Sequence, residues 1–258
     1  MKKLDFILII SLFVLGVWLQ TAIAEPITFY LSSGINPSGD IPFQSNALNL
    51  TPANTLFEED LEGFKDGDFI NSLSMGPVQV GISLLGIPGS KQLIFESGVG
   101  YPGGVYGTVN GNALTNADEV SRRRSIQLTF SGVSVQGFGV WIYDDTMATA
   151  DAFRMIATTT DGVTSISNVL DSNYGSGSHT VEGFMGVTAL DGIVSIIIEQ
   201  GTWDGNSSSS FIARDIPTYF ELDHFQVVTP VPEPSTMLLL GSGLIGLAGY
   251  GRRKFFKK

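Results

Sequence analysis

Residues 125–143 read SIQLTFSGVSVQGFGVWIY, and this stretch decides the fold class. Ile126, Leu128 and Phe130 alternate with Gln127 and Thr129, the period of two that gathers apolar side chains on one face of a β-strand. Val133 and Val135, then a glycine-flanked Phe138 before Val140 and Ile142, mark a second strand. Trp141 alternates against Val140 and Ile142, so it faces solvent or seals a second layer.

The same patterning continues outward in both directions. Strands are predicted at 27–31, 78–84, 153–159, 164–170, 180–187, 193–199 and 219–228, and another at 91–95 as hairpin partner of 78–84. Asp161-Gly162 and Asp191-Gly192 supply turn chemistry between neighbouring strands. Pro, Asn and Ser signals make 32–56 a long loop, and the stretches GVGYPGGVYG and NGNALTN make an exposed loop of about 98–119. Nothing between the chain ends sustains an apolar period of 3.6 over three turns. Many strands with no intervening helix predict an all-β fold, an antiparallel β-sandwich of jelly-roll topology, as one domain over 25–230. Its inner faces would bury Phe130, Phe138, Val140, Ile142, Ile196, Ile198 and Phe225. No fixed-period repeat is present, which counts against a propeller or β-helix.

The two ends have a different character. Met1-Lys2-Lys3 is positive, Phe6 to Leu19 is mostly apolar, and Ala22-Ile23-Ala24 offers a small-residue cleavage site. Residues 1–24 therefore read as a secretory signal peptide. Ser235 to Gly251 carries no charge, and as a helix it would reach roughly 25 Å, somewhat short of a hydrocarbon core. Arg252, Arg253, Lys254, Lys257 and Lys258 follow directly. A transmembrane helix over 235–251 is predicted, with the basic tail on the cytoplasmic side and the body outside.

These ends hold seven of the 14 basic residues and one of the 25 acidic ones, so the body is far more acidic than the whole-chain charge of −11. Such a body repels nucleic acid and anionic membrane surfaces and leaves room for bound cations. With no cysteine, a core or a metal must hold it together.

Val231-Pro232-Glu233-Pro234, the glycine-interrupted apolar run, and Arg252-Arg253-Lys254 together resemble the PEP-CTERM sorting signal. The resemblance covers about 28 residues at the C-terminal end. It implies export across the inner membrane of a Gram-negative bacterium, with exosortase and the secretion machinery as partners. Exosortase would recognise Pro232, Glu233 and Pro234 and remove the apolar tail, so these residues are a substrate and not a catalytic site. The resemblance also implies a setting at the cell surface or in exopolysaccharide. Two prolines favour an extended recognition segment at the membrane edge. An ordinary proline linker before a permanent anchor gives the same topology.

The body also resembles secreted jelly-roll modules, including carbohydrate-binding ones, through Leu56-Phe57-Glu58 and Phe220-Glu221-Leu222-Asp223-His224-Phe225. In such modules the first and last strands are neighbours, and acidic residues from them can hold a structural calcium. Carried over, the calcium ligands would be Glu58 and Asp223. The run from Glu58 to Asp68 adds more carboxylates that suit this hard cation, though it lacks EF-hand spacing, and a solvated acidic turn explains it as well.

Other chemistry is less well supported. Asp144-Asp145 are neighbours in sequence and point to opposite faces of a strand, so they do not form a glycosidase pair. His179 and His224 stand in no zinc or nucleophile context and read as surface or loop histidines. Arg122-Arg123-Arg124 reads as a solvated junction rather than a nucleic-acid site. Tyr101, Tyr106 and Trp203 lie beside glycine- or serine-rich stretches and are the candidates for stacking on sugar rings, with core packing or a loop anchor as the alternative for each. The leading expectation is an exported, noncatalytic surface or matrix protein. The alternatives are a calcium-stabilised carbohydrate-binding module and a hydrolase of extracellular polysaccharide.

Overall fold

A computed structural model describes residues 27–33, 38–51, 54–65, 67–85, 89, 92–96, 112–115, 125–144, 151–171, 181–203, 210–213 and 220–230. The predicted signal peptide and transmembrane helix lie outside these residues. The described chain forms β1 (Thr28–Ser33), α1 (Ile41–Asn49), β2 (Asn54–Glu59), β3 (Phe69–Ile70), β4 (Ser72–Met75), β5 (Val78–Leu84), β6 (Gln92–Glu96) and β7 (Asn112–Thr115). It continues through β8 (Ile126–Ser131), β9 (Val135–Asp144), β10 (Asp151–Thr159), β11 (Thr164–Ile166), β12 (Leu170–Asp171), β13 (Val181–Thr202), β14 (Ile212–Ala213) and β15 (Glu221–Pro230).

Every strand pairing is antiparallel, and β13 organises the whole. Its first half pairs with β9 on one side and β1 on the other; its second half pairs with β8 and β10. Outward from the first half the order is β9, then β15, which carries β2 and β7. Outward from the second half, β8 leads to β5 and β4, while β10 carries β11 and β12. The result is an all-β, nearly closed antiparallel barrel or sandwich whose two faces share one long strand. Asp191-Gly192, read in sequence as a turn between two strands, is instead an irregularity inside β13. Gly192 has φ +87°, and the pairing with β10 slips there, from Ser195 opposite Thr158 to Ile193 opposite Thr159. A bulge bends a strand without ending it.

The core lies between the two faces. Phe138, Val140, Ile142, Ile196, Ile198 and Phe225 are fully buried in it, as the alternation predicts, and Phe130 packs against it while only partly covered. β5 does not pair with β6 as predicted. Gly76 and Pro77 turn the chain back so tightly that Met75 stands opposite Val78, and β6 pairs instead with β3 and β7. The second glycine-rich stretch also contains a strand, β7, within its Asn112–Thr115 segment.

The larger departure from the sequence reading is α1, within the predicted loop 32–56. Pro42 sits in its first turn, where a missing N–H costs nothing. Phe43 and Ala47, one turn apart, are both buried and pack with Trp141, Phe184 and Val228 on the outer face of the β9–β13 half. Trp141 therefore seals a second layer. Gly139 and Gly186 make this possible: a Cβ at either would stand 3.0 Å and 2.9 Å, respectively, from the Phe43 ring. Nine residues are too few to be helical by propensity; the packing of Phe43 holds the helix in place.

Candidate functional site

β2 and β15 are neighbours, with Glu58 opposite Gln226 and Glu59 opposite Phe225. The first and last strand patterns singled out in the sequence thus lie side by side. β15 is not regular. Its pairing with β9 slips between Asp223 and Gln226, and His224 adopts φ +51°. One consequence is that Leu222 and Phe225, three positions apart, both enter the core. Another is that Asp223 lies opposite Trp141 and Gln226 opposite Gly139. Since Trp141 packs with the helix, Asp223 and Gln226 share its outer face.

A polar knot forms where α1 meets this face. Asp40 Oδ2 accepts a hydrogen bond of 2.7 Å from Gln226 Nε2 and one of 3.0 Å from Gln44 Nε2. Glu58 Oε1 lies 3.4 Å from each of these amide nitrogens and 3.4 Å from His224 Nε2. Asp40 and Gln226 are buried, and hydrogen bonding to charged groups in such a setting fixes the helix on the sheet. Asp40 and Gln226 were not anticipated from sequence. The available signal was Gln226 interrupting the apolar alternation of Phe225, Val227 and Val228.

Asp223 is also buried, although its neighbours are acidic. Burial pushes its carboxyl up to about 8, against a hydrogen bond from the His224 N–H, with Glu62, Asp60 and Glu221 adding repulsion. Next to it, the turn after β2 uses carboxylates on its own backbone. Glu59 accepts from the Leu61 N–H at 3.0 Å, Asp60 from Glu62 at 3.1 Å, and Asp68 from Lys65 at 2.9 Å. The two carried-over calcium candidates therefore occupy one face of adjacent strands. Glu58 is engaged by amides and imidazole, and the Asp223 carboxyl feels the repulsion of Glu62 and Asp60. The donors are the oxygens an alkaline-earth cation prefers. Among the described residues, no group of three His, Cys, Asp or Glu is assembled to hold a metal. His224 is not the surface or loop histidine of the sequence reading: it lies within a strand, with a side chain only 12% exposed.

Of the glycan candidates, Trp203 directly follows β13 and is half-buried. Close by in sequence, β14 pairs with Gly201 and Thr202. Arg154 lies 4.4 Å above the Phe211 ring and pairs with Glu199 at 2.6 Å. Tyr101, Tyr106, His179, Asp145 and the three arginines at 122–124 lie outside the described residues.

The end of β15 completes the picture. The last described strand runs Glu221–Pro230, and in sequence the acidic body gives way after it to the proline pair, the apolar run and the basic tail. That order defines a protein exported and sorted through an envelope. The matching family model is the PEP-CTERM protein-sorting motif, over residues 230–254. The chain carries this motif, interacts through it with the exosortase and secretion machinery, and undergoes membrane-associated export and surface display. No helix among the described residues is long and apolar enough to cross a membrane.

No curated protein matches the chain. Among solved structures, similarity extends to the K2 cleaved adhesin domain of Lys-gingipain, with 12% identity and a TM-score of 0.39 over 67% of this chain and 97% of that one. The K3 cleaved adhesin domain of Lys-gingipain from Porphyromonas gingivalis w83 is similar at 11% identity and a TM-score of 0.31, over 64% and 98%.

Proposed function

We propose that residues 25–230 form a noncatalytic surface module delivered by its own tail. The chain enters the export pathway through residues 1–24 and crosses the inner membrane of a Gram-negative cell. It pauses there on a helix over 235–251, with Arg252, Arg253 and Lys254 held in the cytoplasm. Exosortase then cuts near Pro234, and the module joins the cell surface or exopolysaccharide matrix. The observation that carries this reading is the direct succession of the last strand, ending at Pro230, and the sorting motif. Cleavage after so short a connection would release an intact β-domain. Mass spectrometry of the protein from its native envelope tests it: residues 1–24 and the apolar tail are absent in the expected mature form. An intact tail in every recovered species would overturn the processing step.

A second reading, a calcium-stabilised glycan-binding module of jelly-roll layout, is favoured by one observation. Asp223 is a buried carboxyl repelled by Glu62, Asp60 and Glu221, and an oxygen-liganded cation shared with the Glu58–Asp68 turn would relieve that repulsion. Calcium at ten times its dissociation constant would stabilise the fold by about 1.4 kcal/mol, a rise of a few degrees in melting temperature. Melting curves that coincide with and without calcium would remove the ion. On this reading Trp203, with Tyr101 and Tyr106, contacts the glycan.

A further inference from the structure

A cavity of about 240 Å³ opens between β1, the C-terminal half of α1 and the bend of β13 that joins the two halves of the molecule. It is remote in sequence from the sorting motif and uses none of the glycan candidates named above. Its floor is Thr188 and Ala189, both buried. Its walls include Tyr30, Asn46, Asn49 and Leu190.

The walls are polar yet uncharged. No Asp, Glu, Lys, Arg or His lines the cavity among the described residues. The Tyr30 hydroxyl lies 3.4 Å from Thr188 Oγ1, so one hydroxyl pair stands at the rim and floor. Asn46 Nδ2 donates to the Pro42 carbonyl at 2.8 Å, and Asn49 Nδ2 to the Ser45 carbonyl at 2.6 Å. Each amide is thereby held against the helix and keeps acceptor capacity on its Oδ1.

The cavity is also fixed from behind. Gln136 Nε2 donates to the Leu190 carbonyl at 3.0 Å, and Asn54 Nδ2 donates to the Ala47 carbonyl at 2.6 Å. These bonds tie the β13 bend and the end of the helix to the sheet, so the walls need little reordering when a ligand enters.

Pre-placed amides and hydroxyls beside a tyrosine ring select a ligand that offers many hydroxyls and one weakly apolar face. With no charged side chain among the described lining residues, the cavity favours a neutral ligand over a uronate, sulfate or amine. The volume falls below the roughly 300 Å³ at which pockets for larger ligands begin, which leaves room for a single ring. We propose that this cavity is a binding subsite for one neutral pyranose residue, such as a chain end or branch of an exopolysaccharide. The inference rests on the matrix setting proposed above and adds the sugar class and the place where it is held.

The test uses the full-length chain in detergent on an array of oligosaccharides that carries neutral hexose oligomers and uronate-containing oligomers. Asn46→Ala combined with Asn49→Ala is the diagnostic variant. Alanine is the better helix former, so α1 survives the change, and circular dichroism checks that it does. The expected result is binding to neutral oligomers, weakened about tenfold or more in the double variant and unchanged in Val163→Ala, an exposed residue outside the cavity. Thr188→Val, which removes the floor hydroxyl, weakens it too. Neutral-glycan binding that persists in both cavity variants overturns the subsite while leaving the matrix reading intact. Binding confined to uronate-containing oligomers does the same. No binding to any glycan by the unaltered chain overturns the subsite and withdraws support from the matrix setting as well.

Discussion

Asp223 is the residue on which the acidic end of the sandwich turns. Its carboxyl titrates near 8 in the folded protein instead of at the ordinary 3.8. Between those values the unfolded chain gives up this proton and the folded protein keeps it, so this group makes stability fall as pH rises. The loss is absent below the unfolded value and complete above the folded one. Asp223→Asn therefore raises stability at pH 8 by about 1–3 kcal/mol, allowing for relaxation around the group, and has little effect near pH 4. Chemical denaturation of both forms at the two pH values, in the presence of a chelator, measures the difference. An equal effect at both would show that the carboxyl is already ionised. Glu62, Asp60 and Glu221 face the same group, so a variant of any of them shifts the window in the same direction by less.

Among the elements, α1 depends most on its surroundings. Phe43 fills the space cleared by Gly139 and Gly186 and lies 5.5 Å from the Phe184 ring centroid. Phe43→Ala is expected to cost about 3–5 kcal/mol, read as a lower denaturation midpoint. Because α1 also positions Asn46 and Asn49, the same variant loosens the cavity. Had the helix been held by its own propensity, the cost would be a fraction of this. β13 behaves in the opposite way: its apolar runs on both sides of Gly192 announce strands, but they do not announce that the strand continues. A hairpin and a bulge share the Asp-Gly signal, and the pairing of Thr160 with the Gly192 carbonyl at 3.0 Å shows which one neighbouring β10 selects.

For the whole molecule, charge distribution governs topology. On the proposed topology, with residues 235–251 spanning the membrane, an acidic body and a basic tail on either side of the apolar run have one favourable orientation across an energised inner membrane. A reporter fused after Lys258 is expected to be active in the cytoplasm, and one inserted at the exposed Asp161-Gly162 turn outside it. The reverse pattern would invert the topology and with it the surface role. Most of the longer strands, the core residues and the sorting motif were legible because each depends on local pattern: a period of two, or three segments in a set order. The short β3, β4 and β7 were not legible, and the predicted strand 164–170 is broken into β11 and β12. The polar knot of Asp40, Gln44, Glu58 and Gln226 was not, since its members come from three elements separated by up to 186 positions.

Sequence alone determined that the body is built of strands, that its inner faces carry Phe138, Val140, Ile196 and Phe225, and that its end is addressed for sorting. Alternation and charge order are properties of neighbouring residues, and no partner is needed to express them. Only the tertiary structure decided that 41–49 is a helix, that β13 is continuous, that β5 pairs with β4 and β8, and that Asp223 and the uncharged cavity exist. Those outcomes are set by which surfaces meet: a glycine-lined hollow for Phe43, a bulge opposite β10, and a bend brought against the helix end. Contacts between distant segments leave little trace in the local pattern of either one.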